Sequence, residues 1–451
     1  MPLPGLSGQF FFLALQHFAL YNKSVKNVGG KKMSVGYAEQ IFYLFTNVGN
    51  SQEVILRDNV DKTALDSAVA KAVQVHPWVK SVPCQKDGDI YFKETADEFK
   101  AIPFAGPMPL GDEKSSCRFF GVTYHQNKIW LNYHHSLCDG TGRMIFYNTL
   151  MHHYFGIKNK KEYDEPNVLL SSPEDLYGEP FAKISELTPG YQRPALDFGQ
   201  DAFVFPEMEA LGAIPLENRD NCRYHFTVKE SDFMAYVKDK GMTPSVAVQI
   251  FMAKAIQELN PGNQKRILCG FPVNLKKMMG CPNSFKNGWV LQTQELKVDQ
   301  LSKDESELGK EHRAAFKERV SEDALKAMAN DIVEINQKAQ KFKTMDERRK
   351  HYFESATFGA LTYTLTYIGT LQKTEYSDEL VDSIWSSLSP APMISMVDFY
   401  GMFSITINSP FVFADYAAAL VKQFEAHGIP VQSNEILAGK GLVPMNVKLG
   451  E

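Results

Sequence analysis

The sequence carries little excess charge of either sign. It contains 48 lysines and arginines against 53 aspartates and glutamates, a formal net charge of −5 over 451 residues. No long basic stripe is present, and nucleic-acid-binding proteins depend on one. Nucleic acid is therefore a poor candidate partner. With 44% hydrophobic and 22% charged residues, the composition is that of an ordinary globular protein.

Cysteine is scarce, and its spacing excludes two kinds of cross-link. The six cysteines are scattered without a CxxC pair, so neither a disulfide framework nor a zinc site is expected. Reduced thiols of this kind are typical of a cytoplasmic protein. The chain also has no P-loop, no GxGxxG after a strand and no HExxH. Nucleotide-dependent and metal-dependent enzyme classes are therefore without support, and no metal site is expected.

Long hydrophobic runs are also missing. The most apolar stretch, Gln9–Tyr21, is interrupted by Gln16 and His17 and is shorter than the ~20 residues that a membrane-spanning helix needs. No positive charge precedes it, so a secretory signal is not expected. Four lysines and no acidic residue occur in residues 1–32, which we interpret as an N-terminal extension. Membrane contact through this extension is less expected than packing on the body or on another subunit.

The length of the chain predicts two lobes, because 451 residues exceed what one hydrophobic core usually holds. The stretch between residues 156 and 218 is irregular and rich in proline and glycine, as in "SSPEDLYGEP" and "LTPGYQRP". Such a stretch is typical of a crossover. We therefore predict an N-terminal lobe over residues 33–215 and a C-terminal lobe over residues 216–451.

The rest of the chain alternates between helix and strand patterns. An amphipathic helix is predicted over Val60–Val79, where apolar residues share one face and Pro77 ends the pattern. Two helices of the second lobe have start signals, with Ser231 as an N-cap and with Thr243 capping before Pro244. Further strands are predicted over Asn221–Lys229, Arg266–Leu275 and on both sides of the Tyr400–Gly401 turn.

One short segment, "NYHHSLCDGTGR" (Asn132–Arg143), places two histidines and an Asp–Gly pair between two elements. The preceding run Lys128–Tyr133 alternates like a strand with one buried face. The following run Arg143–Gly156 has helical spacing and ends at a glycine. Side chains between a strand and a helix are aimed by a rigid element and remain accessible, so this is a frequent location for catalytic residues.

The segment "HHSLCDG" (His134–Gly140) fits the HHxxxDG signature of the chloramphenicol-acetyltransferase-like superfamily, which includes condensation domains, plant BAHD acyltransferases and alcohol acyltransferases. Three further segments resemble family elements in the same order. They are Phe271–Val290, similar to a "PVNLRK…NF" segment, Leu365–Leu371, similar to an "NLG" strand, and Val397–Gly401, similar to the plant DFGWG element. Because the last reads "DFYGM", the chain lies outside the plant branch. The resemblance covers roughly Ser34–Val431.

The resemblance implies an α/β fold of two similar lobes, each a mixed sheet flanked by helices, with a substrate tunnel between them. It implies that His135 is the catalytic residue. A neutral imidazole, with an ordinary pKa of about 6.5, can accept a proton from a hydroxyl or amine as it attacks a thioester. The expected co-substrate is an acyl-coenzyme A, with no metal or other cofactor.

Roles for the neighbouring residues follow from the same resemblance. Asp139 is implied to be structural, supporting the site by pairing with an arginine. Arg143 and Arg266 are the two candidates for that arginine. Gly140 is expected to permit a tight turn and a close approach of backbone to substrate. Asn274 is a weaker candidate for binding substrate in the tunnel.

Several other polar residues near the motif have two interpretations. His134 is a weaker catalytic candidate, because neighbours on a strand face opposite ways and its ring should point into the fold. Cys138 beside the histidines suggests a nucleophile, although a small buried thiol is the preferred interpretation. Asn283 and Asn287 either line the tunnel or form turns. Asp398 and Gly401 are interpreted as structural.

Two functions remain open from the sequence. The first is an O-acyltransferase of the alcohol acetyltransferase type, which uses free acyl-coenzyme A and a small alcohol or amine acceptor. The alternative is a stand-alone condensation enzyme that takes its acyl group from an acyl carrier protein. The basic run Lys158–Glu162 could dock such a carrier, but a solvated loop is the preferred interpretation. A non-catalytic relative is disfavoured, because His135, Asp139 and Gly140 are all present.

Overall fold

The structure is a computed structural model of the chain. It describes residues 32–34, 36–38, 49–86, 89–106, 108, 110–111, 118–166, 171–192, 201–211, 219, 221–355, 361–387, 389 and 391–437. The predicted N-terminal extension lies outside the described residues except for Lys32, and so does part of the predicted crossover. Within the described part of the chain, no helix combines the length and apolarity needed to cross a bilayer.

The strands are β1 (Lys32–Ser34), β2 (Gly49–Leu56), β3 (Ser81–Lys86), β4 (Asp89–Glu94), β5 (Ile102–Pro103), β6 (Phe120–His125), β7 (Lys128–His134), β8 (Cys222–Lys229), β9 (Ile267–Asn274), β10 (Trp289–Leu296), β11 (Tyr363–Thr370), β12 (Leu380–Ser387), β13 (Met393–Phe399), β14 (Met402–Ser409) and β15 (Val431–Leu437). The helices are α1 (Lys62–Val75), α2 (Gly140–Asn159), α3 (Pro173–Leu176), α4 (Pro206–Leu211), α5 (Glu230–Asp239), α6 (Pro244–Leu259), α7 (Glu305–Arg319), α8 (Glu322–Ala339), α9 (Met345–Ser355) and α10 (Ala414–Ala426).

These strands form three sheets. A five-stranded sheet has the order β12-β2-β7-β6-β5, a seven-stranded sheet has the order β10-β9-β11-β13-β14-β8-β15, and β1-β4-β3 form a small third sheet. Most pairs are antiparallel, whereas β11 runs parallel to both β9 and β13, and β5 runs parallel to β6. The predicted α/β fold with mixed sheets flanked by helices is therefore confirmed.

Each large sheet buries one face under helices. In the first half of the chain, α1 and α2 cover the five-stranded sheet with fully buried side chains such as Leu65, Val69 and Phe146. In the second half, α6 and α10 cover the seven-stranded sheet in the same way. The strand β12 comes from the second half yet pairs antiparallel with β2 of the first, so the two halves share a sheet.

Charged groups reinforce this junction. Arg223 of β8 donates to Glu53 of β2 at 2.9 Å, and both side chains are buried. Nearby, Nε2 of His225 lies 2.7 Å from a carboxylate oxygen of Asp382 on β12. Breaking such a buried pair leaves an uncompensated charge. These contacts therefore hold β2 and β12 of the five-stranded sheet against β8 of the seven-stranded sheet.

Of the two helix start signals predicted in the second half of the chain, one is confirmed and one is wrong. Thr243 caps α6, its hydroxyl accepting from the backbone N–H of Val246 at 3.3 Å, as predicted. The prediction that Ser231 is an N-cap is wrong, because α5 already begins at Glu230 and no side chain caps it. The backbone N–H of Glu230 instead donates to the carbonyl of Gly401 at 2.9 Å. A tertiary contact here replaces a local cap.

The predicted end of α2 at Gly156 is also wrong. The helix runs on to Asn159, and Lys160 ends it in a left-handed conformation with φ of 51°. A glycine inside a helix costs only about 1 kcal/mol, which the buried face of α2 offsets. The Tyr400–Gly401 turn is as predicted, with positive φ at both residues.

Candidate active site

The two histidines lie at the end of β7 and in the loop that leads into α2. His134 is the last residue of the strand, and Asp139 is the N-cap of the helix. One carboxylate oxygen of Asp139 accepts from the backbone N–H of Gly142 at 2.6 Å and from the hydroxyl of Thr141 at 2.8 Å. These bonds fix the helix start and, with it, the short loop that carries His135.

A lysine, and not an arginine, neutralises Asp139. Nζ of Lys276 lies 2.6 Å from the Asp139 carboxylate, and both side chains are almost entirely buried, at 1% and 5% exposure. The second carboxylate oxygen accepts from the backbone N–H of Gly288 at 3.1 Å. Asp139 is thus fully engaged in holding the loop against the Leu275–Gly288 segment of the second half.

The two arginines considered from sequence have other partners. Arg266 pairs with Asp201 and Glu295 at the surface. Arg143 donates to the side-chain oxygen of Gln52. The sequence did contain a signal for the lysine partner of Asp139. The segment "PVNLKK" resembles the family segment "PVNLRK", and Lys276 stands where that segment has its arginine.

His135 is held from the other half of the chain by Asn287. The buried Asn287 amide donates to the carbonyl oxygen of His135 at 2.8 Å, and its oxygen accepts from the indole N–H of Trp289 at 3.3 Å. The Trp289 ring centroid lies 5.7 Å from that of the imidazole. Asn287 is therefore in direct contact with the His135 loop, a contact that neither interpretation from the sequence included.

The imidazole of His135 is partly exposed, and its Nδ1 atom is buried. Burial lowers the pKa of His135, and it outweighs the opposing effects of the Asp139 carboxylate, the residue's own backbone and Asn287. A lowered pKa keeps the imidazole neutral at neutral pH, which is the state that accepts a proton.

The pH dependence of activity should reflect this lowered pKa. If His135 acts as the base, its protonation stops the reaction, so the acidic limb of kcat/KM is expected to have its midpoint below 6.5, the ordinary value for histidine. Rates measured from pH 4.5 to 8.5 with constant ionic strength test this expectation. A midpoint at or above 6.5 would contradict the burial of the base.

His134, the last residue of β7, lies inside the fold. Its side chain is buried and packs on Phe119, with ring centroids 4.4 Å apart. The backbone N–H of Ser136 donates to Nδ1 of His134 at 3.1 Å, and the Ser136 hydroxyl lies 2.6 Å from the same atom. The ring thus shapes the loop that follows β7.

The glycine that close packing requires is Gly142, not Gly140. Gly140 is the first residue of α2 and has no positive φ, so its backbone conformation does not need glycine. A Cβ atom on Gly140 would lie 3.1 Å from the ring of Trp385. At Gly142 a Cβ atom would lie 1.9 Å from the backbone oxygen of Phe285, a contact that only glycine permits.

The remaining candidates support the same loop or lie inside the fold. Asn274 is exposed, and its amide donates to the hydroxyl of Thr141 at 3.2 Å. Asn283 donates to Asp175 at 2.8 Å. Cys138 is fully buried. The five cysteines in the described ranges form no disulfide, and those ranges contain no cluster of three or more residues able to hold a metal ion.

Replacing Asn287 by alanine should lower kcat by about 10-fold or more, because a small misplacement of a catalytic group is costly. The change removes the bond to the His135 carbonyl, so the loop that positions the imidazole is no longer held from this side. Asn283→Ala in the same segment is the matched control, and it should retain most of the activity. The steady-state rates of the two variants test this prediction. An equal loss of kcat in both variants would show that the segment affects activity only through folding.

Comparisons with known proteins identify the architecture. No protein-family model matches the sequence, and no curated relative was found. Polyketide synthase associated protein 5 from Mycobacterium tuberculosis is similar in structure, with a TM-score of 0.56, 14% identity, and 87% of this chain and 98% of that chain covered. TRI101 from F. graminearum, complexed with coenzyme A and T-2 mycotoxin, has a TM-score of 0.59 at 9% identity, with 90% and 99% covered.

A third similar structure comes from a peptide synthetase. The epimerization domain from the third module of tyrocidine synthetase B has a TM-score of 0.53 at 12% identity, with 90% of this chain and 96% of that chain covered. Nearly the whole length of each of these proteins is matched, so the similarity concerns the complete architecture and not one lobe. The chain therefore shares the fold of these proteins, and the predicted fold class is confirmed.

Proposed function

We propose that this chain is an acyltransferase that moves an acyl group from acyl-coenzyme A to a hydroxyl or amine of a small acceptor. The observation that carries the proposal is the placement of His135. His135 lies on the loop between β7 and α2 and is partly exposed. Burial lowers the pKa of its imidazole, and Asn287 holds its backbone carbonyl. A fixed, neutral and reachable imidazole is what a general base requires.

The proposed reaction is a direct transfer. Nε2 of His135 accepts the proton of the acceptor O–H or N–H while the oxygen or nitrogen attacks the thioester carbonyl carbon. The C–S bond then breaks, and the imidazolium gives its proton to the departing thiolate. The products are an ester or amide and coenzyme A, and His135 returns to its neutral state. Positioning of the two substrates supplies much of the remaining acceleration.

Asp139 takes no part in proton transfer in this scheme. Its two oxygens already accept from Gly142, Thr141, Lys276 and Gly288, so its role is to position the loop. The negative charge of Asp139 still acts on the His135 ring, so it helps to stabilise the imidazolium that forms during the reaction. Asp139 is thus a positioning residue, as the sequence resemblance implied.

The second candidate is a condensation enzyme with a carrier-protein donor, which the resemblance of "HHSLCDG" to the signature of condensation domains suggests. Docking of an acidic carrier needs a basic surface. Two of the three lysines in the run Lys158–Glu162 already have acidic partners, because Lys158 pairs with Asp58 and Glu379, and Lys161 pairs with Glu375. The free coenzyme A thioester is therefore the preferred donor.

Release of free thiol from acetyl-, butyryl- and octanoyl-coenzyme A, against a panel of alcohols and amines, tests the proposal. A chelator is present throughout. Acceptor-dependent release is the expected result. Silence with every coenzyme A donor, together with turnover of an acyl group loaded on a carrier protein, would overturn the choice of donor and support the condensation reaction.

A further inference from the structure

Arg143 is a buried cation that the proposed reaction leaves unused. It lies in the first turn of α2, four residues after Asp139, and its side chain is 0% exposed. Its guanidinium stacks on Trp385 of β12, with Cζ 3.6 Å from the ring centroid. Nη1 donates to the side-chain oxygen of Gln52. No carboxylate in the described ranges forms an ion pair with this guanidinium.

The guanidinium has one edge that remains unoccupied. Nε and Nη2 of Arg143 are buried, and neither has a hydrogen-bond partner within the part of the chain that the structure describes. These two atoms form the edge of the fork whose parallel N–H groups match the two oxygens of a carboxylate. A buried cation without an anion is costly, so an arginine in this state indicates a ligand.

The orientation of Arg143 is fixed from both sides. Gln52 donates from its amide nitrogen to the hydroxyl of Ser383 at 2.7 Å, which turns its oxygen toward the arginine. The ring of Trp385 covers the guanidinium, with its centroid 3.6 Å from Cζ. Since Trp385 and Gln52 both hold the guanidinium, the edge formed by Nε and Nη2 has a set direction.

Arg143 and His135 are close enough to act on one substrate. Both are neighbours of Tyr133, whose ring centroid lies 6.4 Å from the imidazole centroid and whose ring lies 5.7 Å from Cζ of Arg143. The phosphates of coenzyme A carry several charges, and a single buried guanidinium between aromatic rings cannot pair them all. A single planar carboxylate fits the charge and the geometry.

We propose that Arg143 binds a carboxylate carried by one of the two substrates, either on the acceptor or at the far end of the acyl chain. This inference rests on the proposed function, because it assigns a substrate class to the same site. The competing interpretation is a purely structural arginine that joins α2 to β12 through Trp385.

Equilibrium binding of one substrate at a time tests the inference without turnover. In the donor arm, titration calorimetry compares succinyl-coenzyme A with butyryl-coenzyme A on the full-length wild-type protein. In the acceptor arm, hydroxycarboxylic acids of increasing length are compared with their primary amides. A carboxylate is expected to bind roughly 10–100-fold more tightly than its neutral counterpart in one arm, the range for a charge-assisted hydrogen-bonded pair. The arm that shows the preference identifies the substrate that carries the carboxylate.

Two variants attribute the preference to this residue. Arg143→Met removes the charge and keeps a long apolar side chain, so it should abolish the preference while raising or preserving the melting temperature. Arg143→Lys keeps the charge without the fork and should retain only part of the preference. If Arg143→Met does not fold, the carboxylate preference of Arg143→Lys, compared with that of the wild type, still tests the inference.

Equal binding of carboxylate and neutral probes in both arms, or a preference that persists in Arg143→Met, would overturn the inference. Failure of every carboxylate probe to bind would overturn it as well. If butyryl-coenzyme A binds without any carboxylate preference, this inference falls and the proposed function stands. If no coenzyme A thioester binds but hydroxy acids are preferred over amides, the donor assignment falls and the carboxylate site stands.

Discussion

His135→Ala is expected to lower kcat by roughly 10²–10⁴-fold, the contribution of a well-placed general base. The melting temperature should change little. The imidazole is partly exposed, and the bond from Asn287 goes to the backbone carbonyl, which alanine retains. The KM values should also remain close to those of the wild type, because the side chain acts in the transition state and not in ground-state binding. Steady-state kinetics and a thermal melt on the same preparation measure both quantities.

His153→Ala is the control for this prediction. His153 is a partly exposed histidine further along α2, and it has no part in the proposed reaction. Its variant should keep near wild-type activity. If His135→Ala turned over as fast as His153→Ala, general-base catalysis by His135 would be wrong.

Lys276→Met is expected to destabilise the protein by about 3–5 kcal/mol, because it leaves the buried Asp139 carboxylate without its cation. The Lys276 and Asp139 side chains are 1% and 5% exposed, so solvent does not screen the lost charge. Residual bonds from Gly142 and Thr141 place the loss toward the lower end of this range. The free energy of unfolding in urea measures it. Activity should fall as well, since the bond fixes the loop that carries His135.

A double-mutant cycle shows whether the pair itself is responsible. Asp139→Asn removes the negative charge and keeps a side chain that can cap α2. The double variant Asp139→Asn with Lys276→Met buries no unpaired charge, so it should be more stable than the sum of the two single losses predicts. The coupling expected for residues in direct contact is about 0.5–3 kcal/mol. Strict additivity would mean that the lysine and the aspartate stabilise the fold independently.

The sequence predicted the elements around the site because their signals are local. The alternation of Lys128–Tyr133 and the helical spacing after Arg143 are properties of adjacent residues, and both gave the correct element. The Thr243–Pro244 start of α6 is local in the same sense. The resemblance of "HHSLCDG" to the family signature then gave the fold, which the structural comparisons confirm.

The interactions that hold the candidate site could not be predicted in the same way, because they join distant parts of the chain. Lys276 and Asp139 are 137 positions apart, and Asn287 and His135 are 152 positions apart. The contact between Gln52 and Ser383 spans 331 positions. Asparagines and lysines in a turn-rich segment have the same pattern whether they contact a histidine loop or solvent. Only the tertiary fold distinguishes them.

Local signals also failed where a tertiary contact replaced them. Gly140 was expected to be the glycine that the motif needs, yet the close backbone contact, from Phe285, is made at Gly142. Ser231 was expected to cap a helix whose first N–H is already bound by the carbonyl of Gly401. In both cases a segment more than a hundred positions away determines the local geometry.

The most direct test of the central claim is mass spectrometry of one reaction that contains the protein, an acceptor and isotopically labelled acetyl-coenzyme A. Direct transfer with His135 as base predicts that the acceptor gains the labelled acetyl group, that the intact protein mass is unchanged at every time point, and that His135→Ala forms product far more slowly. A transient acetylated protein, located at Cys138 or elsewhere, would contradict direct transfer. Labelled product formed equally fast by His135→Ala would contradict the role of His135.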